Sequence, residues 1–187
     1  MTLPAPPLMP RKILVIRHAE KPDDAGRERG LDAHGVETPR GLTVRGWQRA
    51  GALVRLFDPL KPGDFADPQL ETPSAIFAVK PQESSERPLL TVQPLAQQLG
   101  LVVQARFASD DVSALGLALA GFTGIVLLCW RHGDMPALAA QLCPAMQPAP
   151  TWDQRCFDQV WVFTEVGGGY AMSRVPQRLL PGDSNTT

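Results

Sequence analysis

Two stretches of this chain, Ile13-Leu14-Val15-Ile16 and Val126-Leu127-Leu128-Cys129-Trp130, are apolar at every position, and each runs directly into an Arg-His pair. A strand with no polar face has to be covered on both sides, which calls for a mostly parallel sheet between two layers of helices. The first run continues as Arg17-His18-Ala19-Glu20-Lys21. A rigid strand holds the turn beyond it to a tight tolerance, and the carboxyl ends of strands are where an open sheet forms its ligand crevice. Arginine offers a planar fork for phosphate oxygens, and histidine offers a nitrogen nucleophile or a proton carrier.

With 187 residues the chain is read as one domain, 1–187. Its formal net charge is −1, from 18 basic and 19 acidic residues, so no overall field gathers nucleic acid or an anionic membrane. Any anion site has to be built locally. Cys129, Cys143 and Cys156 lack metal-type spacing and read as reduced structural thiols. Residues 1–10 are proline-rich and 181–187 polar, and both are expected to be flexible termini. The start has no continuous apolar segment resembling a signal peptide or membrane span, which sets a cytoplasmic location as the expectation.

Lys12 to Ile16 is predicted as the first strand, and Pro22 to Gly41 as a polar loop that leaves the Arg17-His18 turn as a lid or specificity loop. Thr43 is placed to cap a helix presenting Val44, Trp47, Ala50, Leu53, Val54 and Phe57 on one face. A second strand follows over Ser74 to Val79. Ser84 or Ser85 is the expected cap of a helix reaching Leu99, with Pro88 in its first turn, Pro94 kinking it and Gly100 closing it. Leu101 to Phe107 reads as a third strand. Ser109 or Asp110 caps a helix over about 111–121, Gly124 to Trp130 is a fourth and central strand, and Met135 to Leu142 a further helix. Gln159 to Thr164 and Gly169 to Val175, joined by Val166-Gly167-Gly168, read as a hairpin adding an antiparallel edge.

On that map Arg17 and His18 follow the first strand, Arg87 the second and His132 the fourth. In a parallel sheet those ends share one edge, so topology alone brings the four residues together.

The same residues resemble the histidine phosphatase superfamily, which includes phosphoglycerate mutases and phosphohistidine phosphatases. Val15-Ile16-Arg17-His18-Ala19-Glu20 corresponds to its opening motif, and Leu42-Thr43-Val44-Arg45-Gly46-Trp47-Gln48-Arg49-Ala50 to its Leu-Thr helix start. Ser84-Ser85-Glu86-Arg87, with Thr91 and Leu95-Ala96, is similar to its second-arginine helix, and Val126 to Gly133 to the strand carrying its second histidine. The resemblance spans roughly residues 12–142 and implies a three-layer α/β/α sandwich of the phosphoglycerate mutase type. It implies that His18 attacks phosphorus to form a phosphohistidine, with Arg17, Arg87 and His132 around the phosphoryl oxygens and no metal or other cofactor. A general acid is also implied, from Asp134 or from Asp110 and Asp111, with Asp134 favoured because it lies two residues beyond His132. Each of these aspartates also reads as a helix cap.

Glu20 and Lys21 flank the nucleophile and are candidates for orienting substrate. Taken singly, Arg17 and Arg87 also read as ion-pair partners of acids such as Glu20 or Glu86. Three departures mark this chain: Ala19 in place of glycine, Glu86 before the second arginine, and Arg131 before the second histidine, read as pointing across the sheet. The lack of long insertions fits a small phosphatase, acting on a phosphorylated small molecule or phosphoprotein, better than a mutase. Two other readings stand beside it: a catalytically weak member that binds phosphate or a phosphopeptide as a regulatory module, and a metallohydrolase using His18, His34 and His132.

Overall fold

Strand β1 (Lys12–Arg17) lies parallel to β4 (Ile125–Trp130), with Ile16 opposite Cys129 and Arg17 opposite Trp130, so the two Arg-His sequences leave the sheet side by side. This is seen in a computed structural model that describes residues 9–23 and 25–184. The expectations for residues 1–8 and 185–187 therefore lie outside the described residues.

Strand β2 (Ala75–Val79) pairs in parallel with β4 on one side and with β3 (Gln104–Phe107) on the other. Beyond β1 come β5 (Gln159–Val166), antiparallel to β1, and β6 (Gly169–Pro176), antiparallel to β5, giving the order β3-β2-β4-β1-β5-β6. Gly167 and Gly168, at φ +61° and +85°, make the tight hairpin turn that side chains with a Cβ resist.

Among the described residues four helices complete the layers: α1 (Val44–Phe57), α2 (Arg87–Leu99), α3 (Val112–Leu119) and α4 (Met135–Leu142). The apolar strands alternate sides as their period of two requires. Leu14, Ile16, Leu127 and Cys129 pack on Leu53 and Phe57 of α1 and Val92 and Leu95 of α2. Ile13, Val15, Val126 and Leu128 pack on Leu115 of α3 and Leu138 of α4, with Trp152 and Trp161 extending that core. All six positions of β1 and of β4 are buried. The result is the three-layer α/β/α sandwich.

Local chemistry sets the helix ends. Thr43 caps α1, its Oγ1 accepting from the Gly46 N–H at 3.1 Å, while Gly100 closes α2 at φ +66°. Elsewhere the caps differ from expectation. Glu86, without a side-chain capping bond, precedes α2 in place of Ser84 or Ser85. Asp111 caps α3, because its Oδ1 reaches the Ala114 N–H at 3.3 Å, while Ser109 turns its carbonyl to the Trp130 indole at 2.9 Å. Val44 is 62% exposed and stands off the apolar face of α1. Strand β3 is shorter than its apolar sequence, since Val102 is 80% exposed at the sheet edge.

The segment after β6 returns to α1. Asp183 accepts the N–H groups of Leu179 and Leu180 at 2.9 and 3.0 Å and pairs with the buried Arg49 at 2.7 Å. Residues 181–184, read from the sequence as part of a free tail, are thus tied to the domain.

Candidate active site

The turn after β1 is fixed from three sides. The His18 N–H donates to the Trp130 carbonyl at 3.2 Å, continuing the β1–β4 ladder, and the Ala19 N–H donates to Thr91 Oγ1 at 2.8 Å. The Glu20 carbonyl accepts the Thr43 N–H at 3.0 Å. Gly46 permits that approach: a Cβ there would stand 2.5 Å from the same Glu20 oxygen. This is the physical reason for the glycine in the Leu42-Thr43 helix start.

His18 is 6% exposed, and its Nδ1 lies 2.8 Å from the Ala19 carbonyl oxygen. A carbonyl only accepts, so Nδ1 carries the hydrogen and the ring lone pair resides on Nε2. The ring is oriented by a carbonyl and not by backbone N–H groups. Burial is the main reason its proton affinity falls, to about 3 from an ordinary 6.5; the Ala19 bond opposes this, and the positive Arg17 and Arg87 reinforce it. His18 is therefore neutral at any ordinary pH, the form a nucleophile needs.

Arg17 is 1% exposed and stacks over Phe157, its guanidinium carbon 3.9 Å from the ring centroid. Its Nη1 donates to the Gln154 carbonyl and, at 3.1 Å, to that of Cys156. Nε and Nη2 are buried and have no partner among the described residues. Burial draws the group down to about 10, still a cation at neutral pH. Two unanswered donors on a buried cation are costly unless an anion completes them.

Arg87 opens α2. Its Nε donates to the Gly41 carbonyl at 3.1 Å, its Nη2 to that of Pro39 at 2.5 Å, and its Nη1 reaches Ser85 Oγ at 3.4 Å. Glu86 is held by Arg40, so the carboxylate that precedes Arg87 fastens the loop. The Trp47 indole adds a bond to the Leu31 carbonyl at 3.1 Å. The far arm of the 22–41 loop is thereby pinned, and none of its described residues lines the pocket beside His18.

That pocket, about 420 Å³, is lined by Arg17, His18, Lys21, Ser84, Ser85 and Arg87 from one side and by Arg131, His132, Gly133 and Asp134 from the other. His132 and Asp134 form a single 3-10 turn between β4 and α4. Partial burial lowers the His132 proton affinity, as do the cations Arg17, Lys21 and Arg131, while Asp134 acts the other way. Asp134 precedes α4 but makes no side-chain capping bond, which leaves its carboxylate to the pocket.

The structure thus brings together Arg17, His18, Lys21, Arg87, His132 and Asp134. It does not bring in Glu20, which is buried behind the turn with both carboxylate oxygens on the Arg49 guanidinium at 2.8–3.1 Å and one on Arg45 at 3.2 Å. Asp110 is exposed, Asp111 is occupied as a cap, and His34 is exposed on the loop, so none of the three lines the pocket. Arg131 faces the pocket, contrary to its reading as a residue pointing across the sheet. Sequence reasoning missed the 154–157 segment that holds Arg17, because carbonyl acceptors and a stacked Phe157 carry no motif.

The mostly parallel sheet between two layers of helices, with an antiparallel hairpin at one edge, is a fold shared with solved histidine phosphatases. No protein-family model matches the chain, and no curated protein matches its sequence. Its architecture is similar to that of the protein histidine phosphatase SixA in complex with tungstate, at TM-score 0.55 and 16% identity over 89% of this chain and 97% of that one. An alpha-ribazole phosphatase from Shigella flexneri superposes at TM-score 0.55 and 15% identity, covering 93% and 100%. A phosphoserine phosphatase from Entamoeba histolytica does so at 0.54 and 14%, covering 92% and 100%.

Proposed function

We propose that this protein is a member of the histidine phosphatase superfamily that hydrolyses a phosphomonoester, or a phosphohistidine, through a phosphohistidine on His18. The observation that carries this reading is the pair of unanswered Arg17 donors on a buried cation beside a histidine held neutral with its lone pair on Nε2. In this chemistry the Nε2–P bond forms as the P–O bond to the leaving group breaks, and the leaving oxygen takes a proton from the Asp134 carboxyl. Water then attacks phosphorus, Asp134 takes its proton back, the P–N bond breaks and inorganic phosphate departs. Arg17 and Arg87 neutralise the equatorial oxygens, the role a metal fills in other phosphoryl-transfer sites.

The test is turnover of a generic aryl phosphate with a chelator present, together with trapping of an acid-labile phosphoprotein. The wild type is expected to do both and His18→Ala neither. Phosphate binding without turnover in the wild type would instead mark a regulatory phosphate-binding module.

A further inference from the structure

Arg131 is a pocket cation that phosphoryl transfer at His18 leaves unused. Arg11, Arg27, Arg29, Arg40, Arg45 and Arg49 each pair with a carboxylate. By contrast, the only bond recorded for Arg131 among the described residues is from Nη1 to the amide oxygen of Gln82, at 3.3 Å. It stands in the pocket lining with Ser84 and Ser85 and with Arg17 and Arg87, three guanidinium groups near the carboxylate of Asp134. Its charge is felt there: after burial, Arg131 is the group that depresses the proton affinity of Arg87, and it adds to the depression at His132.

A phosphoryl dianion is already answered by Arg17 and Arg87. A further guanidinium in the same pocket repels those two unless another anion enters with the substrate. Guanidinium forks and hydroxyls are the groups that recognise carboxylate and phosphate oxygens. The cavity, about 420 Å³, is of the size that holds a small molecule, roughly 300–1,000 Å³.

We infer that Arg131, with the Ser84 and Ser85 hydroxyls, anchors a second anionic group, so that the pocket selects small phosphomonoesters whose leaving group carries a carboxylate or a further phosphate. This rests on the phosphatase reading above and assigns its substrate class.

The experiment compares carboxyalkyl phosphates, alkylene bisphosphates and plain alkyl phosphates of matched chain length. In the wild type an anionic series should exceed the neutral one in kcat/KM by about tenfold or more, the size of one charge-assisted hydrogen bond. Arg131→Gln should cut that ratio about tenfold, mainly through KM, Arg131→Lys should keep part of it, and Arg131→Glu should invert it. Whichever anionic series is preferred names the group. A wild-type ratio near one, a ratio unchanged in Arg131→Gln, or preference for an acidic phosphopeptide over every small substrate overturns the inference. Calorimetric binding of the same series to His18→Ala reads the preference without turnover. Failure of this assignment is thus separated from failure of phosphatase activity itself, which p-nitrophenyl phosphate reports.

Discussion

The His18 ring donates its Nδ1 hydrogen to the carbonyl oxygen of Ala19, the next residue in the chain, at 2.8 Å. One short contact thereby fixes ring orientation and tautomer together. A group so oriented, and held near a pKa of 3 by burial, links the site to folding stability. In the unfolded chain His18 takes a proton as pH falls through about 6.5, whereas in the folded protein it stays neutral down to about 3. Between those values the unfolded state binds more protons, so stability is fully present above about 6.5 and is lost as pH falls towards 3. Urea denaturation across this window should show a steeper decline for the wild type than for His18→Gln, by at most about 1.4 kcal/mol per pH unit. Equal slopes would mean that His18 is not held neutral.

Arg17 should couple anion binding to stability. Inorganic phosphate or vanadate that completes its Nε and Nη2 stabilises only the folded state, by about 2.7 kcal/mol at a hundred times the dissociation constant. Arg17→Lys keeps a charge and loses the fork, so its affinity for either anion should fall by about tenfold or more and its thermal shift should shrink accordingly. An undiminished shift would place the anion elsewhere.

Much of this arrangement was legible in the sequence, for identifiable reasons. Wholly apolar runs leave a strand few places to lie, and residues following parallel strands reach one edge, so Arg17, His18, Arg87 and His132 could be brought together without coordinates. Glu20 could not be placed. Its partner Arg49 is 29 residues away, and Asp183 lies 134 residues beyond Arg49; ion pairs at such separations leave no periodic trace. Asp134 was ambiguous because a cap and an acid look the same in sequence, and only the absent capping bond separates them.

Gly46 and Gly51 sit in the same helix and should respond oppositely to alanine. A Cβ at Gly46 meets the Glu20 carbonyl at 2.5 Å, a backbone atom that can yield only if α1 moves away from the nucleophile turn. Gly46→Ala should cost roughly 1–3 kcal/mol and reduce activity. Nothing lies within 4 Å of a Cβ at the exposed Gly51, so Gly51→Ala should stabilise by about 0.5–1 kcal/mol through helix propensity. Chemical denaturation of both variants checks the contrast, and a neutral Gly46→Ala would remove the packing argument.

If Asp134 protonates the leaving oxygen, Asp134→Asn should harm poor leaving groups most. An alkyl phosphate should lose about a hundredfold or more in kcat, the usual range for general acids being roughly 10²–10⁴, while p-nitrophenyl phosphate should lose far less. Asp110→Asn, altering an exposed residue away from the pocket, should show no such dependence. A uniform loss across leaving groups in Asp134→Asn would reassign it to binding.

Arg49, 2% exposed, is the centre of a buried charge network, bonded to Glu20, Asp183 and Gln177. Burial pushes the Asp183 carboxyl up, but bonds from Arg49 and from the Leu180 and Leu179 N–H groups outweigh it and hold the pKa below its usual value. The contribution is therefore complete above the unfolded value near 3.8 and fades as pH falls through the lower folded one. Arg49→Met leaves Glu20 and Asp183, among the described residues, with only the more exposed Arg45 as a cationic partner and should cost up to about 3 kcal/mol at neutral pH. Adding Glu20→Gln and Asp183→Asn to that variant should recover part of the loss, because the carboxylate charges are then gone. Urea denaturation of the single and triple variants decides the matter. A single-variant cost below about 1 kcal/mol would show that the network is screened as a surface pair is and that residues 179–184 are held by other contacts.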